Sequence, residues 1–254
     1  LDVFLAPWRA DLDRTRRQVV RISLEPLDQD ELLRSKVGGQ AWWPEGEPAP
    51  TAADGTALVL LVQIDLGEMP AIAGFPDRGL LQFFISATSG FGADWDQEGD
   101  SLVAYWPDVS VRARRLPVAG DREYLPHRPS RPLAMHFELR DELVSSTDHR
   151  FRALCGGRVF EAAARFAATR GLDPDLFEEA LVEPFSGTGH KVGGYPHFTQ
   201  DDPRGDHDEE ELLFQLDSDE YVSWGDAGVG NFFIRPADLA RADFGRVLFT
   251  WDCH

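Results

Sequence analysis

The sequence has only two cysteines, no long apolar run and a shortage of basic residues. Cys155 and Cys253 cannot build a disulfide framework, and their neighbours lack zinc-site spacing apart from the adjacent pair Cys253 and His254. No window approaches the roughly 18 to 20 uncharged apolar residues of a membrane span, and the first residues lack the pattern of a signal peptide. We therefore expect a cytoplasmic chain without membrane contact.

Basic residues are outnumbered by acidic ones, with 25 Lys and Arg against 44 Asp and Glu and a formal charge of −19. Nucleic acids and anionic membranes are held by basic patches, so this balance argues against both as partners. It is compatible with a basic protein partner or a cationic ligand, and it also favours solubility. The hydrophobic content of 43% in 254 residues predicts a self-folding chain with a sizeable core, which we expect to be monomeric.

Common catalytic and cofactor motifs are absent as well. The sequence has no G-x-G-x-x-G, G-x-x-x-x-G-K-[ST], G-x-S-x-G or H-E-x-x-H motif. The acidic run from Asp201 to Glu211 does not fit the calcium-loop pattern, and we interpret it as a solvated loop. The expectation is therefore that the protein uses no metal and no cofactor.

What the sequence does contain is a set of features that occurs twice in the same order. K-V-G-G occurs at Lys36 and again at Lys191, and each copy is followed by a Q-x-D strand and by a strand ending in F-F-I. The offset between matching residues drifts from 155 at these lysines to 145 between Trp106 and Trp251, as short loop deletions would produce. We interpret the pattern as an internal duplication. Its predicted parts are copy one at 36–108, a helical insert at 109–189 and copy two at 190–254.

The predicted fold class is α+β, with largely antiparallel sheets related by a pseudo-twofold axis in one compact domain. Short strands rich in Phe, Val, Ile and Leu support this, together with an N-terminal helix and the helical insert. Helices are predicted at 7–20, 29–35, 158–170 and 174–182, and strands at 21–24, 58–66, 80–86, 101–106 and 133–139. The segment 109–132, rich in Arg and Pro, is predicted to be an extended edge strand and loop.

The first candidate binding groups are the two Lys-Val-Gly-Gly stretches. Their glycines expose backbone amides that can approach a ligand, and a lysine adds charge nearby; a tight turn or bulge explains the same residues. These candidates are Lys36, Gly38, Gly39, Lys191, Gly193 and Gly194.

The second group consists of polar side chains in otherwise apolar strands. Each side chain either bonds to neighbouring backbone or lines a cleft, and Asp65 and Asp217 could face each other across the twofold axis as an acid–base pair. The candidates are Gln63, Asp65, Gln215, Asp217 and Asn231, with Gln82 equivalent to Asn231.

The third candidate is the stretch Trp224, Gly225 and Asp226. Two glycines bracket an acid beside an indole that could be exposed, as in a loop that contacts a ligand. A turn between strands, with Asp226 bonded to its own backbone, requires the same residues. Copy one has no counterpart of this stretch, so we place any function of copy two here.

These motifs resemble the YwqG-like family of bacterial proteins. The resemblance is carried by K-V-G-G-Y-P-H-F-T-Q-D-D-P-R, L-L-F-Q-L-D-S-D, W-G-D-A-G-V-G-N-F-F-I and V-L-F-T-W-D-C, with G-L-L-Q-F-F-I earlier in the chain. It covers about residues 36–253 and departs from the family in Q-A-W-W-P after the first Gly-Gly and in the arginine-rich middle. The resemblance implies a bacterial cytoplasmic protein of α+β fold and transfers no catalytic residue.

Three functions remain open. The first is a non-enzymatic binding protein, in one version an immunity-type protein that neutralises a basic toxin by charge complementarity. The second is a small-molecule binder or hydrolase-like enzyme whose site, at the junction of the halves, uses Asp65, Asp217 and Asp226. The third is a purely structural role, which predicts no deep polar cleft.

Overall fold

A computed structural model describes residues 1–88, 90–91, 93, 100–118, 120, 124–155, 158–204 and 209–254. In this part of the chain the strands are β1 (Arg17–Pro26), β2 (Lys36–Val37), β3 (Trp42–Pro44), β4 (Val59–Asp65), β5 (Leu80–Ile85), β6 (Ser101–Trp106), β7 (Ala113–Arg115), β8 (Leu133–Glu142), β9 (His190–Gly193), β10 (Glu211–Asp217), β11 (Val229–Ile234) and β12 (Leu248–Asp252). The helices are α1 (Asp2–Leu5), α2 (Arg9–Arg14), α3 (His149–Leu154), α4 (Val159–Thr169), α5 (Pro174–Val182) and α6 (Pro236–Leu239), with a 3₁₀ turn at Glu183–Phe185.

Ten of these strands form one antiparallel sheet in the order β12-β11-β10-β9-β1-β8-β2-β4-β5-β6, and β3 pairs with β7 in a small second sheet. β1 and β8 form the middle and pair along ten residues each, from Arg17 opposite Glu142 to Pro26 opposite Leu133. β9 continues the sheet beside β1, and β2 continues it beside β8. One continuous sheet therefore connects both sides of the molecule.

The predicted α+β fold, with internally duplicated and largely antiparallel sheets related by a pseudo-twofold axis, is wrong. The structure is mostly sheet, and a single barrel-like, nearly closed layer of strands replaces the predicted pair of sheets. The physical reason is the central pair of long strands, because β1 and β8 bond to strands on both flanks and leave no boundary at which two sheets could separate.

The N-terminal helix prediction was too long and took in the first residues of β1, whereas the predicted strand at 21–24 is confirmed as part of β1. The helical part ends at Arg14, and residues 17–26 are extended. Val20 and Ile22 point into the core while Arg17 and Arg21 alternate with them on the other face, which is the period of a strand. The predicted helix at 29–35 is also absent, whereas the predicted strands of β4, β5, β6 and β8 are confirmed.

The main core fills the inside of the curled sheet. The Phe83 ring on β5 lies 4.8 Å from the Phe214 ring on β10 and 4.9 Å from the Phe232 ring on β11, measured between ring centroids. These strands are far apart in the sheet order, so the contacts join its two sides across the interior. The indole of Trp251 on β12 donates to the carbonyl oxygen of Gly90, which follows β5, at 2.9 Å. This hydrogen bond also joins the two sides of the sheet.

A helical layer covers part of the outer face of the sheet. α4 buries Val159, Ala163 and Ala167, spaced four residues apart, and Gly171 follows it with φ +67° as predicted for its end. Asp173 caps α5 by accepting from two backbone amides. None of the described helices combines the length and apolar character that a membrane crossing requires.

Candidate functional site

The sequence contains two lysines, Lys36 and Lys191, and both side chains are completely buried. The Lys36 ammonium donates to the Asp30 carboxylate and, at 2.8 Å, to the Glu31 carbonyl oxygen. The Lys191 ammonium donates to the two Glu142 carboxylate oxygens at 3.3 and 3.2 Å. Burial lowers the pKa of both amines, that of Lys191 to about 8, and the facing carboxylate opposes this effect.

The paired glycines make tight turns against the same carboxylates. The backbone takes φ between +69° and +76° at Gly38, Gly39, Gly193 and Gly194. A Cβ at Gly39 would lie 2.8 Å from the Asp30 carboxylate, and one at Gly194 would overlap the Glu142 carboxylate. Each turn therefore places backbone against the acid that neutralises its lysine, which is the contact that requires glycine.

The predicted amides are enclosed by backbone partners. The Gln63 amide donates to two carbonyl oxygens at 2.8 and 3.1 Å, and its oxygen accepts from the Trp42 backbone amide at 3.2 Å. The Gln215 amide likewise donates to two carbonyl oxygens at 3.0 and 2.8 Å, and its oxygen accepts from the His197 amide at 2.8 Å. Gln63 thus attaches residues 32–34 and 42 to the outer face of the sheet, and Gln215 attaches residues 187–189 and 197.

The three predicted carboxylates do not converge on one site. Asp65 accepts from the Gly67 amide at 2.9 Å, and Asp217 accepts from two backbone amides at 2.6 and 2.8 Å. Four strands separate β4 from β10 in the sheet, and both acids lie on its outer face because the alternate residues face the core. Asp226 is exposed in the loop between β10 and β11.

The indole of Trp224 belongs to the core and is not exposed as the sequence suggested. Its ring centroid lies 5.0 Å from that of Phe91 and 6.0 Å from that of Phe249. A Cβ at Gly230 would lie 2.5 Å from this indole, so glycine makes room for it on β11. Gly225 and Asp226 follow on the surface, and the loop contributes to a neighbouring cleft through the residues before Trp224.

This cleft has a volume of about 1050 Å³ and lies between the end of β1, residues 125–133 and the β10–β11 loop. Carboxylates from two loops line it, namely Asp28, Asp30, Asp219 and Glu220. Asp219 accepts from His190 Nε2 at 2.9 Å. Burial opposes ionisation of Asp219, but His190 and two backbone amides outweigh it, so the pKa of this carboxyl lies below its usual value.

Basic and apolar groups supply the remaining surface of the cleft. Arg128 and Arg131 line it, beside the apolar surfaces of Leu125, Tyr221 and Val222. Among the described residues, neither arginine forms an ion pair, and Asp28 and Glu220 form none either. The cleft therefore offers two uncompensated carboxylates and two uncompensated guanidinium groups to a ligand.

Backbone hydrogen bonds fix the segment that forms the middle of the cleft. The Pro126 carbonyl oxygen accepts from the Ser223 amide at 2.7 Å, and the Pro132 carbonyl oxygen accepts from the Leu27 amide at 3.0 Å. The Pro129 carbonyl oxygen accepts from the Gly39 amide at 3.0 Å. Because proline also restricts φ, the site is preformed on three sides.

Sequence reasoning missed this cleft. The stretch H-R-P-S-R-P at residues 127–132 belongs to the segment 109–132, which the composition predicted to be an edge strand and loop. Among the described residues of that segment, only β7 is a strand. The signal that could have identified it is the combination of two arginines with three prolines in residues 126–132, which predicts a stiff, exposed, charged segment.

A second charged cluster is internal. The fully buried Arg204 guanidinium donates to Asp148 at 2.8 Å and to Asp202 at 2.6 Å, and His149 Nδ1 lies 3.0 Å from Asp202. Burial raises the pKa of Asp202, but Arg204 outweighs this effect and brings it to about 2. Asp148, His149 and Asp202 have ligand atoms within 4.8 Å of one another, but arginine already occupies both carboxylates. We interpret the cluster as structural.

Part of the predicted acidic loop cannot be compared with the structure. Asp202 belongs to the internal cluster, so it is not a solvated residue. Residues Asp206, His207 and Asp208 lie outside the described part of the chain.

Comparison with known proteins gives one family. A sequence model described as a domain of unknown function (DUF1963) matches residues 35–253. No curated protein matches the chain.

Proposed function

Because the chain belongs to the DUF1963 family, whose description names no activity, we propose a function from its surface. The protein is a non-catalytic binding protein that holds a segment of a basic protein partner in the cleft between residues 26–30, 125–133 and 219–223. The observation that carries this proposal is the set of uncompensated charges in a preformed cleft.

The chemistry of the cleft suits an extended peptide segment. Asp28 and Glu220 would bind lysine or arginine side chains, while Arg128 and Arg131 would bind carbonyl or carboxylate oxygens between them. A volume of about 1050 Å³ is at the upper end of that of ordinary small-molecule pockets, which leaves room for several residues of a partner.

The charge of the whole chain supports a basic partner. At −19 the protein attracts cationic molecules over a distance set by the ionic strength, which raises the association rate. An immunity protein that neutralises a basic toxin is the narrower form of this proposal. Membership in the YwqG-like group and a bacterial cytoplasmic location also belong to the proposal.

The alternative of a hydrolase-like site at the junction of two halves has no comparable support. It required Asp65, Asp217 and Asp226 to share a cleft, but backbone amides engage the first two, which lie on strands separated by four others in the sheet.

The proposal can be tested with a peptide library in which Lys and Arg are interspersed with Glu, and with the matching library in which Gln replaces Lys and Arg. We expect the basic library to yield binders, and D28N/E220Q to weaken the binding of the best ones at least fivefold, as measured by fluorescence anisotropy. The control variant E178Q/E179Q removes the same charge from the exposed face of α5, outside the cleft, and should change affinity less than twofold.

Two results would contradict the proposal. If both double variants weaken binding equally, only net charge matters and the cleft is not the site. If no basic peptide binds at low salt, the partner is not a basic segment.

A further inference from the structure

A group of buried polar atoms without hydrogen-bond partners lies on the outer face of the sheet, where residues 197–200 cross β10 and β11. We call these residues the crossing segment. Within the described residues these atoms are His197 Nδ1, Thr199 Oγ1, Asn231 Oδ1 and Asp252 Oδ1. Asn231 is completely buried, so water outside the protein cannot satisfy its oxygen. A buried polar atom without a hydrogen-bond partner costs free energy of folding. A group of four such atoms therefore indicates a site for a bound ligand or ion.

Hydrogen bonds from the same residues place the four atoms in one region. The Asn231 amide donates to the His197 carbonyl oxygen at 2.8 Å, and the Thr199 backbone amide donates to Asp252 Oδ2 at 2.8 Å. Asn231 pairs with Thr250 on β12, and Asp252 lies two residues further on the same face. The crossing segment and the two strands thus enclose the group together.

The geometrically matching position on the other side of the sheet has no such group. Gln82 is paired with Gln63 and Ala104 as Asn231 is paired with Gln215 and Thr250. The Gln82 oxygen accepts from the indole of Trp106 at 2.8 Å, two residues beyond Ala104.

Trp106 pairs with Leu80 and Asp252 with Val229, so the residue of β12 that matches Trp106 is Asp252 and not Trp251, with which the sequence offset had matched it. An acceptor therefore stands where a donor satisfies the amide oxygen on the other side of the sheet. Likewise, His197 occupies the position that matches Trp42. The His197 backbone amide donates to the Gln215 oxygen, as the Trp42 backbone amide donates to the Gln63 oxygen.

Each of the four atoms carries a lone pair that no group of the described residues engages. His197 Nδ1 is buried without a partner, and it accepts a hydrogen bond or a metal ion when the other ring nitrogen carries the proton. The amide oxygen of Asn231 can only accept hydrogen bonds, and the same holds for the carboxylate oxygens of Asp252 when this acid is ionised. A single water molecule donates two hydrogen bonds, which is too few for three acceptors.

We propose that His197, Thr199, Asn231 and Asp252 bind one divalent cation through one imidazole nitrogen and three oxygens. Such a mixed set suits an ion of the Mn²⁺ type, which accepts imidazole as well as carboxylate and amide oxygen. The cation would fasten the crossing segment to β11 and β12. It uses none of the cleft residues, so this inference stands or falls independently of the proposed binding function.

The test begins with protein that has been treated with a chelator and then dialysed, and MnCl₂ is the probe. We expect one Mn²⁺ per chain by loss of the free-ion electron paramagnetic resonance signal, together with a higher melting temperature. N231L and D252N should each lower the affinity at least tenfold. If either fails to fold without metal, as judged by circular dichroism, H197N replaces it.

The matched control is H149Q in the arginine-occupied cluster, which also brings ligand-type atoms together and should leave Mn²⁺ affinity unchanged. The proposal is overturned if the wild type binds no stoichiometric Mn²⁺ and no Ca²⁺ or Zn²⁺ either, because a buried water then fills the space. It is equally overturned if H149Q abolishes binding, or if the variants in the proposed site bind as tightly as the wild type.

Discussion

The Lys191 ammonium lies 3.2 Å from Glu142 Oε2, and the Arg21 guanidinium approaches the same oxygen at 2.9 Å. The other Glu142 oxygen accepts from the Tyr195 backbone amide. One carboxylate at the end of β8 therefore joins β1, β9 and the segment after Gly194. Removal of Glu142 would leave the buried Lys191 ammonium without its carboxylate, whereas Glu142 would keep Arg21 if Lys191 were removed.

The buried lysine predicts an alkaline rise in stability. Its pKa falls from 10.5 to about 8 on folding, so between these values the unfolded chain binds more protons and the free energy of unfolding increases with pH. K191M abolishes this contribution. The difference between the wild type and K191M should change by on the order of 1–3 kcal/mol from about pH 7.5 to 10. Urea unfolding measures it, and a difference that is constant with pH would rule out the lowered pKa.

Gly194 should be far less tolerant of alanine than a glycine of similar conformation. G194A adds a methyl group that overlaps the Glu142 carboxylate, whereas G171A adds one in open space. Both residues have positive φ, at +76° and +67°, so both variants carry a backbone cost of about 1–2 kcal/mol. We expect G194A to lose at least about 2 kcal/mol more in chemical denaturation. Equal losses would mean that the Glu142 contact is not tight.

Replacement of the buried Arg204 should destabilise the protein more than replacement of an exposed arginine. R204M leaves Asp148 and Asp202 buried without their shared cation, and breaking such a pair costs about 3–5 kcal/mol. R14M removes only an exposed pair with Asp11 and should cost less than about 1 kcal/mol.

R204M should also unfold at a higher pH on acid titration. The depressed pKa of Asp202, about 2, supplies stability above the unfolded value of 3.8 that is lost as pH falls towards 2. Circular dichroism follows the transition, and an unchanged acid midpoint would argue against this role.

Amine chemistry gives a direct test of the two buried lysines. Native protein should incorporate no acetyl group at Lys36 or Lys191 during brief treatment with an amine-reactive ester, because neither ammonium is accessible. Labelling in urea should modify both. Peptide mass spectrometry locates the products, and rapid labelling of either lysine in the native protein would show that its segment opens readily.

Local pattern was sufficient for several strands but not for the architecture. β5, L-L-Q-F-F-I, is short, apolar and bounded by turns, so its own sequence defines it. Only the start of β1, residues 17–20, was assigned to a helix, because the spacing of Trp8, Leu12 and Val19 also fits a helix. What makes residues 17–26 a strand is pairing with β8, more than a hundred residues later, and no local window contains that information.

The candidate site depended even more on distant contacts. Lys36 and Lys191 were recognised as a pair, but Asp30 and Glu142, which neutralise them, belong to no motif. The cleft is assembled from three segments that lie about a hundred residues apart in the chain. Trp224 was expected near the surface because glycine and aspartate follow it, whereas the missing side chain of Gly230 admits the indole to the core.

The burial of both lysines leaves arginine as the cation of the protein surface, apart from histidine and the chain terminus. Guanidinium groups stay protonated at pH 11, whereas exposed lysines, with a pKa near 10.4, lose most of their charge there. An alkaline wash would therefore discharge a lysine-rich partner while leaving the protein's own positive charges in place. Elution at pH 11 would identify a partner held by lysine, and retention would identify one held by arginine.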